Sequence, residues 1–181
     1  MVFEETDIVL IPRERVGALV GQNGAARKQL EKATGVKIHV DGESGEVEID
    51  RSKAKDPMLA LVSLEIVKAI GRGFSPQKAF KLLLPEYYLE IIDLKHLVGD
   101  NPKTLARVRA RVIGTEGKTR AYVSKLTSAD LSVYGKTIAI IGTHEDTILA
   151  KNSLLKLVEG LPHKTVYREL EKKHKRRDEQ L

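Results

Sequence analysis

The sequence predicts an α+β protein made of two copies of one module, each a three-stranded antiparallel sheet covered by helices on one face. Three observations lead to this prediction. A Gly-x-x-Gly segment occurs twice in matching surroundings, and the hydrophobic pattern around each segment alternates between strand and helix periods in one order. The 181 residues leave roughly 80 to 90 for each copy, which is enough for a modest core.

The two glycine segments are loop 1, Gly21-Gln22-Asn23-Gly24, and loop 2, Gly114-Thr115-Glu116-Gly117, which lie 93 residues apart (114 − 21). A lone Gly-x-x-Gly carries little weight, but here the flanking residues repeat at the same offset. The matched pairs are Val20 and Ile113, Arg27 and Arg120, Leu30 and Val123, Thr34 and Thr127, Ile38 and Leu131, Val40 and Val133, and Gly42 and Gly135. These matches indicate an internal duplication, so we expect domains at residues 1–84 and 85–181.

A strand and a short helix are predicted before loop 1. The β-branched run at residues 8–11 is closed by Pro12, which is typical of a strand. Val16 and Val20 are four residues apart, so they lie on one face of a short helix over residues 13–20.

The segment after loop 1 is predicted to be a second helix, over residues 25–34. Ala26, Leu30 and Ala33 recur in it at helical spacing, which places them on the buried face. Gly35 then supplies the usual helix stop.

Two alternating strands and a long helix complete the first copy. A strand over residues 36–40 and a second over residues 47–49 are joined by a turn at residues 41–46 that contains two glycines and a serine. Asp56 is placed to cap the long helix and Pro57 to occupy its first position. The residues expected on its buried side are Leu61, Leu64, Ile66, Val67 and Ile70. Gly71 and Gly73 are expected to end the helix.

The second copy follows the same order, with a longer path between its first strand, at residues 88–92, and loop 2. A helix opened by Asn101 and Pro102 fills this path. The residues expected to face inward on it are Leu105, Val108 and Val112. We expect its two later strands at residues 132–135 and up to residue 142.

A row of cations on the same helix runs toward loop 2. Lys103, Arg107 and Arg111 are spaced by four residues, and Lys118 and Arg120 lie just past the loop. Helical spacing puts the first three on one face, which suggests a track for phosphates. The alternative is an ordinary solvated helix face, since arginine and lysine are common on helix surfaces.

Composition favours an anionic partner. The formal net charge is +6 and the isoelectric point is near 9.4. Residues 85–170 carry 13 Lys/Arg against 10 Asp/Glu, and residues 171–181 carry 5 against 3, whereas residues 1–84 are nearly balanced with 13 against 12. There is no cysteine for a disulfide or a thiolate metal site. We find neither a signal peptide nor an apolar run of about 20 residues, and so expect a cytoplasmic protein without membrane contact.

The residues around loop 1 resemble the KH-domain signature almost position for position. They read Ile11-Pro12, Val16-Gly17, Leu19-Val20-Gly21, Gly24, Leu30 and Thr34-Gly35-Val36-Lys37-Ile38. The second copy fits through Val112-Ile113-Gly114, Gly117-Lys118, Ser132-Val133-Tyr134-Gly135 and Ile140-Ile141-Gly142. The order of the elements is that of the eukaryotic-type KH fold, so the resemblance implies two such domains.

A further stretch, Ile70-Gly71-Arg72-Gly73-Phe74-Ser75-Pro76-Gln77-Lys78-Ala79, lies outside a generic KH domain. Together with the tandem arrangement, it resembles the archaeal relatives of the partner-of-Nob ribosome-assembly proteins. This resemblance implies a role in small-subunit ribosomal RNA maturation, with a preference for the region near the 3′ end. It also implies cooperation with a Nob-type endonuclease.

The chemistry of both loops suits RNA, because a KH loop clamps about four nucleotides by their backbone. Glycines let the backbone approach a phosphate, and the helix that follows each loop directs its N–H groups and dipole at the same place. Behind loop 1, Val16, Val20, Leu30 and Ile38 are expected to line a groove for bases. The residues predicted to bind RNA are Arg13, Arg15, Val20, Gly21, Gln22, Asn23, Gly24, Arg27, Lys28, Ile38, Lys103, Arg107, Arg111, Ile113, Gly114, Thr115, Glu116, Gly117, Lys118, Arg120 and Leu131.

Enzymatic signals are weak. Gly117-Lys118-Thr119 looks like the end of a phosphate-binding P-loop, but the first glycine of that motif falls on Val112. The five histidines lack zinc-ligand spacing, so we expect no catalytic residue, cofactor or metal. The run at residues 172–177 fits a solvated or frayed helix end better than a binding arm.

The prediction is therefore a non-enzymatic protein that binds single-stranded RNA. The main alternative is an interaction scaffold that docks a nuclease or a translation initiation factor through a KH domain. A subunit of an RNA-degrading assembly is a third possibility, although such subunits usually carry other RNA-binding folds.

Overall fold

Two three-stranded sheets, each wholly antiparallel, organise the protein, whose computed structural model describes residues 5–179. The chain divides between Pro85 and Glu86 into two compact units, one for each sheet. The predicted fold class, α+β with two three-stranded antiparallel sheets, is confirmed. Within the described residues, no helix is long and apolar enough to cross a membrane.

The first unit has the strand order β1-β3-β2, so the last strand in sequence is central. Its elements are β1 (Thr6–Leu10), α1 (Arg13–Val20), α2 (Ala25–Thr34), β2 (Lys37–Val40), β3 (Glu46–Asp50), α3 (Pro57–Gly71) and α4 (Pro76–Ala79). Loop 1 contains a 3₁₀ turn at Gln22–Gly24, and a second such turn at Phe80–Leu83 follows α4.

The second unit repeats this order as β4-β6-β5. Its elements are β4 (Tyr88–Asp93), α5 (Leu94–Val98), α6 (Pro102–Ile113), α7 (Lys118–Thr127), β5 (Asp130–Tyr134), β6 (Thr137–Gly142), α8 (His144–Glu159) and α9 (His163–Asp178). The short helix α5 occupies the longer path before loop 2. The trailing helix α9 has 16 residues, whereas α4 at the corresponding place has 4.

The duplication extends to side-chain contacts. Thr34 donates its hydroxyl to the carbonyl of Leu30 at 2.8 Å, and Thr127 donates to the carbonyl of Val123 at 2.8 Å. Both acceptor residues are wholly buried. Helices α2 and α7 therefore both end with a buried hydrogen bond from a threonine hydroxyl, at the predicted offset of 93 residues.

The two helix starts that the sequence predicts from a capping residue followed by proline are confirmed. Asp56 accepts from the backbone N–H of Met58 at 2.8 Å, and Asn101 accepts from that of Lys103 at 3.0 Å. The inward residues expected on α6 are all buried: Leu105, Val108 and Val112.

Two expected core positions are wrong. Leu61 on α3 is 46% exposed, because the buried side of this almost entirely apolar helix runs through Ala60, Ser63 and Val67. Ala33 on α2 is exposed, while Thr34 takes the inward place with its hydroxyl satisfied within the helix. On these helices, the apolar pattern was too broad to define the face.

Candidate nucleic-acid interface

Loops 1 and 2 have the same backbone. Their first glycines have φ and ψ of 73° and 173° in loop 1 and 73° and 171° in loop 2. The third residue of each loop is a non-glycine in the left-handed region, Asn23 at φ 53° and Glu116 at φ 54°. Different sequences thus adopt one strained turn in both units, and such strain collects at functional sites.

The first glycine of each loop is required by packing within the protein. A Cβ built on Gly21 lies 2.8 Å from both the backbone nitrogen and the Cβ of Ala26, and one built on Gly114 lies 2.2 Å from Oγ1 of Thr119. The second glycines, Gly24 and Gly117, face only the far ends of long side chains at 3.7 Å. The open side of the loop is therefore at its second glycine, where backbone can approach a ligand.

Each loop leads into a helix whose start has no side-chain cap. The residues at the cap positions of α2 and α7 are Gly24 and Gly117, whereas α3, α6 and α8 are capped by Asp56, Asn101 and Thr143. The first N–H of each helix bonds back to the 3₁₀ turn of its loop, from Ala25 to the carbonyl of Gln22 and from Lys118 to that of Thr115. No side-chain oxygen stands at either helix start, so the positive end of each helix dipole is open to an anion. This arrangement suits a phosphate at both loops.

Equivalent clefts flank the two loops, with volumes of about 640 and 550 Å³. In each unit the walls come from the helix before the loop, the helix after it and the segment that trails the long helix. Phe80 in the first unit and Tyr167 in the second supply corresponding ring walls. A shared cleft geometry therefore accompanies the shared loop.

The lining charges of the two clefts differ. The lining side chains in the first unit are all uncharged, whereas the cleft of the second unit contains Arg107, Arg111 and Lys118. At the 93-residue offset, Arg111 and Lys118 replace Ala18 and Ala25. The second cleft is thus the more favourable one for phosphate.

Arg15 and Arg111 hold the fold together as well as lying near the loops. Arg15 donates Nε to the carbonyl of Ile70 at 2.8 Å and a terminal nitrogen to that of Phe74 at 2.6 Å. Arg111 donates in the same way to Leu157 at 3.0 Å and to Leu161 at 2.7 Å. Each guanidinium closes the carboxyl end of the long helix in its unit, so the predicted phosphate track retains only Lys103 and Arg107 as fully exposed cations on α6.

The predicted groove residues are divided between core and surface. Leu30 is wholly buried, Ile38 is 2% exposed and Leu131 6%, so all three belong to the hydrophobic core and do not line the expected groove. Val20 and Ile113 are half-buried. The predicted residues that are exposed are Arg13, Gln22, Asn23, Lys28, Lys103, Arg107, Thr115, Glu116, Lys118 and Arg120. Glu116 forms an ion pair with Lys118 at 3.3 Å, which offsets its charge within the loop.

Arg27 lies in a separate cleft of about 330 Å³, which it shares with residues of β2 and β3. Its neighbours there are His39, Val40, Asp41, Glu46 and Glu48. The Nε of Arg27 is buried and has no hydrogen-bond partner within residues 5–179. Backbone bonds and a bond from Ser44 lower the pKa of Asp41, the Ser44 bond being the largest cause. Carboxylates repel phosphate, so this cleft suits the donor and acceptor groups of a base better than a backbone.

The sequence analysis missed the contribution of α9. Tyr167 donates its hydroxyl to Thr119 at 2.9 Å, its ring lies 4.6 Å from that of Tyr122, and His163 contacts the carbonyl of Arg111 at 2.9 Å. The hydrogen bond between Tyr122 and Glu171 raises the pKa of the phenol. A second offset in the sequence, of 87 residues, could have revealed this contribution. It relates Phe80 to Tyr167, and it also relates the carbonyls of Ile70 and Phe74 to those of Leu157 and Leu161.

No group of His, Cys, Asp or Glu side chains that could hold a metal ion occurs within residues 5–179. The polar side chains around loop 2 include the cations Arg107, Arg111 and Lys118 together with Thr115, Thr119 and His163.

Two family descriptions match the chain. Residues 88–175 match a family described as a eukaryotic-type KH domain, KH-domain type I, specific to the second KH domain of PNO1, and residues 6–56 match the KH domain family. A KH domain-containing protein of Methanocaldococcus jannaschii, MJ0443, is 41% identical over 170 residues, which cover 94% of this chain and 74% of the relative.

A eukaryotic relative and a solved structure are also similar. The pre-rRNA-processing protein pno1 of Schizosaccharomyces pombe is 31% identical over 140 residues, 75% of this chain and 57% of that protein. The structure of an a/eIF2α–aDim2p–rRNA complex from Pyrococcus horikoshii contains a chain that matches with a TM-score of 0.88 and 43% identity, with 96% of each chain covered.

Proposed function

Because the chain belongs to the family of tandem KH-domain proteins that includes the Dim2 and pno1 proteins, we propose that it binds single-stranded RNA. We further propose that it acts in the cytoplasm in the processing of small-subunit ribosomal RNA near the 3′ end, as a binding protein without a catalytic step. The observation that carries this proposal is the identical backbone of loops 1 and 2, each preceding a helix without a side-chain cap.

The physics of the loops supports a phosphate clamp in both units. A phosphate beside Gly24 or Gly117 meets open space where a side chain would otherwise stand, and it faces the positive end of a ten-residue helix. Since a KH loop holds about four nucleotides, two loops are expected to hold two short single-stranded segments.

A division of labour follows from the lining charges. Lys103, Arg107, Lys118 and Arg120 are exposed around loop 2, so the second unit supplies most of the phosphate-driven affinity. The first unit offers an uncharged cleft and a buried Arg27 nitrogen among carboxylates. These groups favour contacts to bases, so the first unit supplies most of the sequence preference.

The proposal is tested by titrating the full chain with a single-stranded fragment from the 3′ end of small-subunit ribosomal RNA and with a scrambled RNA of equal length. If each unit neutralises two or three phosphates, log K is expected to fall against log salt with a slope of about −3 to −4, at ~0.7 per contact. An affinity independent of salt contradicts the phosphate clamp.

Acidic loop variants identify the site of binding. Replacing Gln22, Asn23 and Thr115 with Asp places three negative charges on exposed loop positions, and RNA binding is expected to weaken because these charges repel phosphate. A control with the same charge change at exposed positions away from the loops is Ala33→Glu, Met58→Glu and Asn152→Asp. Equal losses in the two variants indicate a general charge effect and contradict a role for the loops.

Docking of a protein is a second candidate function, and the outer face of the first sheet favours it. Ile8 and Leu10 on β1 are 65% and 72% exposed. They lie directly opposite Glu48 and Glu46 on β3, which are also exposed. A surface of apolar and acidic side chains suits a protein that presents apolar and basic groups.

The α subunit of a translation initiation factor, as in the complex of the Pyrococcus relative, or a Nob-type endonuclease is the partner that we propose for this face. The variant with Ile8→Asp and Leu10→Ser is expected to lose the protein partner in a pull-down and to keep its RNA affinity. If the variant keeps both partners, the face has no docking role.

A further inference from the structure

The exposed side of α9 is a continuous basic surface that neither loop uses. Lys164, Arg168, Lys172 and Arg176 are spaced by four residues along this helix and are all exposed, and Lys175 lies between the last two. At 1.5 Å per residue, the row is ~18 Å long. We name these five residues the α9 basic face. Its cations include residues 164 and 168, which lie outside the basic run seen at residues 172–177.

Two acidic side chains of α9 bond to neighbouring helices. Glu169 forms an ion pair with Lys156 of α8, which lowers the pKa of that carboxyl, and Glu171 accepts from Tyr122 of α7. Only Lys175 has an ion pair on the basic face, with Glu179 at 4.0 Å, among the residues that the structure describes. The other four cations of the face are exposed and form no ion pair with a carboxylate whose side chain the structure describes. Arg168 contributes to the lowered pKa of Glu169.

The carboxyl end of α9 is bonded to the second unit, so of the solvated or frayed end expected from the sequence it is the solvated form that the structure has. Arg177 binds Oδ1 of Asp146 at 2.5 Å and Oγ of Ser128 at 3.0 Å. Val166 and Leu170, both 1% exposed, anchor the preceding turns. The cations are thus presented from a fixed helix, which reduces the entropy lost when they bind a partner.

Helix α7 extends the same surface toward loop 2. Contacts between Tyr167 and Thr119, Tyr122 and Glu171, and Arg177 and Ser128 show that α7 and α9 run parallel. Lys118 and Lys125 are exposed seven residues apart on α7, so they share one face of that helix. The basic surface consequently begins at loop 2 and continues along both helices.

The surface offers charge without a means of reading bases. Within the described residues of α7 and α9, the two tyrosines contact each other and bond to neighbouring helices. The outward side chains of the α9 basic face are cations alone. A single strand would expose its bases to a surface with no ring or apolar groove to receive them. A duplex stacks its bases inside and presents phosphates and 2′-hydroxyls, which these cations match.

The first unit has no counterpart. At the 87-residue offset, Lys164 and Arg168 correspond to Gln77 and Lys81, and the first unit ends four residues later at Pro85. We infer that the α9 basic face, with Lys118 and Lys125, binds the phosphate backbone of an RNA stem next to the single strand held at loop 2. This inference rests on the proposed function for the position of the stem, but the affinity for a stem can be measured by itself.

The experiment uses the full chain with three RNAs: a single strand, the same strand with a hairpin stem appended, and the stem alone. The variant Lys164→Gln, Arg168→Gln and Lys172→Gln removes three exposed charges, and its control is Lys37→Gln, Lys53→Gln and Lys55→Gln, which removes three exposed charges from the first unit. Circular dichroism and thermal unfolding establish that both variants fold.

The appended stem is expected to tighten binding at least tenfold, and the α9 variant to lose that gain while keeping its affinity for the single strand. The salt slope for the stem-bearing RNA is expected to decrease by about 2 to 3, at ~0.9 per phosphate contact on a duplex. The control variant is expected to match the unmodified protein with every RNA.

Three results overturn the inference. The first is a stem that adds no affinity, and the second is an α9 variant that loses equal affinity for the single strand and for the stem-bearing RNA. Loss of an acidic protein partner with unchanged stem binding also overturns it. A further outcome separates the two proposals. If the unmodified protein binds the stem but not the single strand, and the α9 variant does not bind the stem, the proposed function of the loops is wrong and the inference stands.

Discussion

The two glycines of loop 2 allow a direct test of why the loop needs glycine. Gly114→Ala and Gly117→Ala are the same substitution, three residues apart, at positive φ values of 73° and 75°. We expect Gly114→Ala to destabilise the second unit strongly and Gly117→Ala to do so only mildly.

The difference in magnitude follows from the surroundings of each Cβ. At Gly117 the nearest atom is the end of Arg120 at 3.7 Å and the backbone is left-handed, so the cost is the strain of ~1–2 kcal/mol for an L-residue. At Gly114 a ψ of 171° puts the backbone in a region open essentially to glycine alone, at ~1–3 kcal/mol. The added Cβ also lies 2.8 Å from the backbone nitrogen of Thr119, and such overpacking costs a further ~1–3 kcal/mol.

The free energy of unfolding is measured by urea denaturation of the full chain, with RNA affinity measured on the same samples. The expected difference between the two variants is ~2–3 kcal/mol. A Thr119→Ala change removes the hydroxyl at 2.2 Å but leaves the backbone nitrogen in place, so it is expected to rescue Gly114→Ala only in part. Equal destabilisation by the two glycine variants would refute this reasoning.

Three other predictions concern groups around the loops. Arg111→Lys keeps the charge but loses the two hydrogen bonds to carbonyls at the end of α8. The free energy of unfolding is therefore expected to fall by ~2–3 kcal/mol, with the salt slope for RNA unchanged. Arg15→Lys is the matched test in the first unit. The raised pKa of Tyr122 means that the folded state holds the phenol proton more tightly than the unfolded chain. Its contribution to stability is therefore complete below the ordinary pKa of tyrosine and is lost as the pH rises through the raised value. Glu171→Gln is expected to lower the pKa of Tyr122, which is measured by following the absorbance of the phenolate against pH. Arg27→Gln is expected to reduce the ratio of affinities for matched and scrambled RNA, whereas Arg107→Gln is expected to lower both affinities equally. Competition titrations measure these affinities, and the reverse pattern contradicts the proposed roles of the two units.

The sequence was most informative where one physical requirement admits few residues. Both loops, the caps at Asp56 and Asn101 and the strand alternation each depend on such a requirement, and the structure confirms their positions. The offset of 93 also paired Leu30 with Val123, and both side chains are wholly buried. Local chemistry was sufficient for these features because each is decided within a few residues of chain.

The sequence was least informative where a residue's role depends on a distant segment. The bond from Arg111 to Leu157 joins residues 46 apart, and the bond from Arg15 to Ile70 joins residues 55 apart. Helical spacing alone therefore grouped Arg111 with exposed cations. Ile38 and Leu131 were expected in a groove, although strand alternation equally permitted the core, where they lie. The burial of these side chains depends on which helices cover the sheet.

The arginine bonds at the ends of α3 and α8 limit how the two units can be recombined. The acceptor carbonyls are at equivalent positions in both units, but the donor arginines are not. Arg15 precedes loop 1 by six residues (21 − 15), and Arg111 precedes loop 2 by three (114 − 111). A loop exchanged together with the preceding helix therefore arrives with its arginine about one helical turn away from the carbonyls it must reach. The smallest interchangeable part of this protein is consequently the helix pair around a loop together with the end of the long helix that its arginine closes.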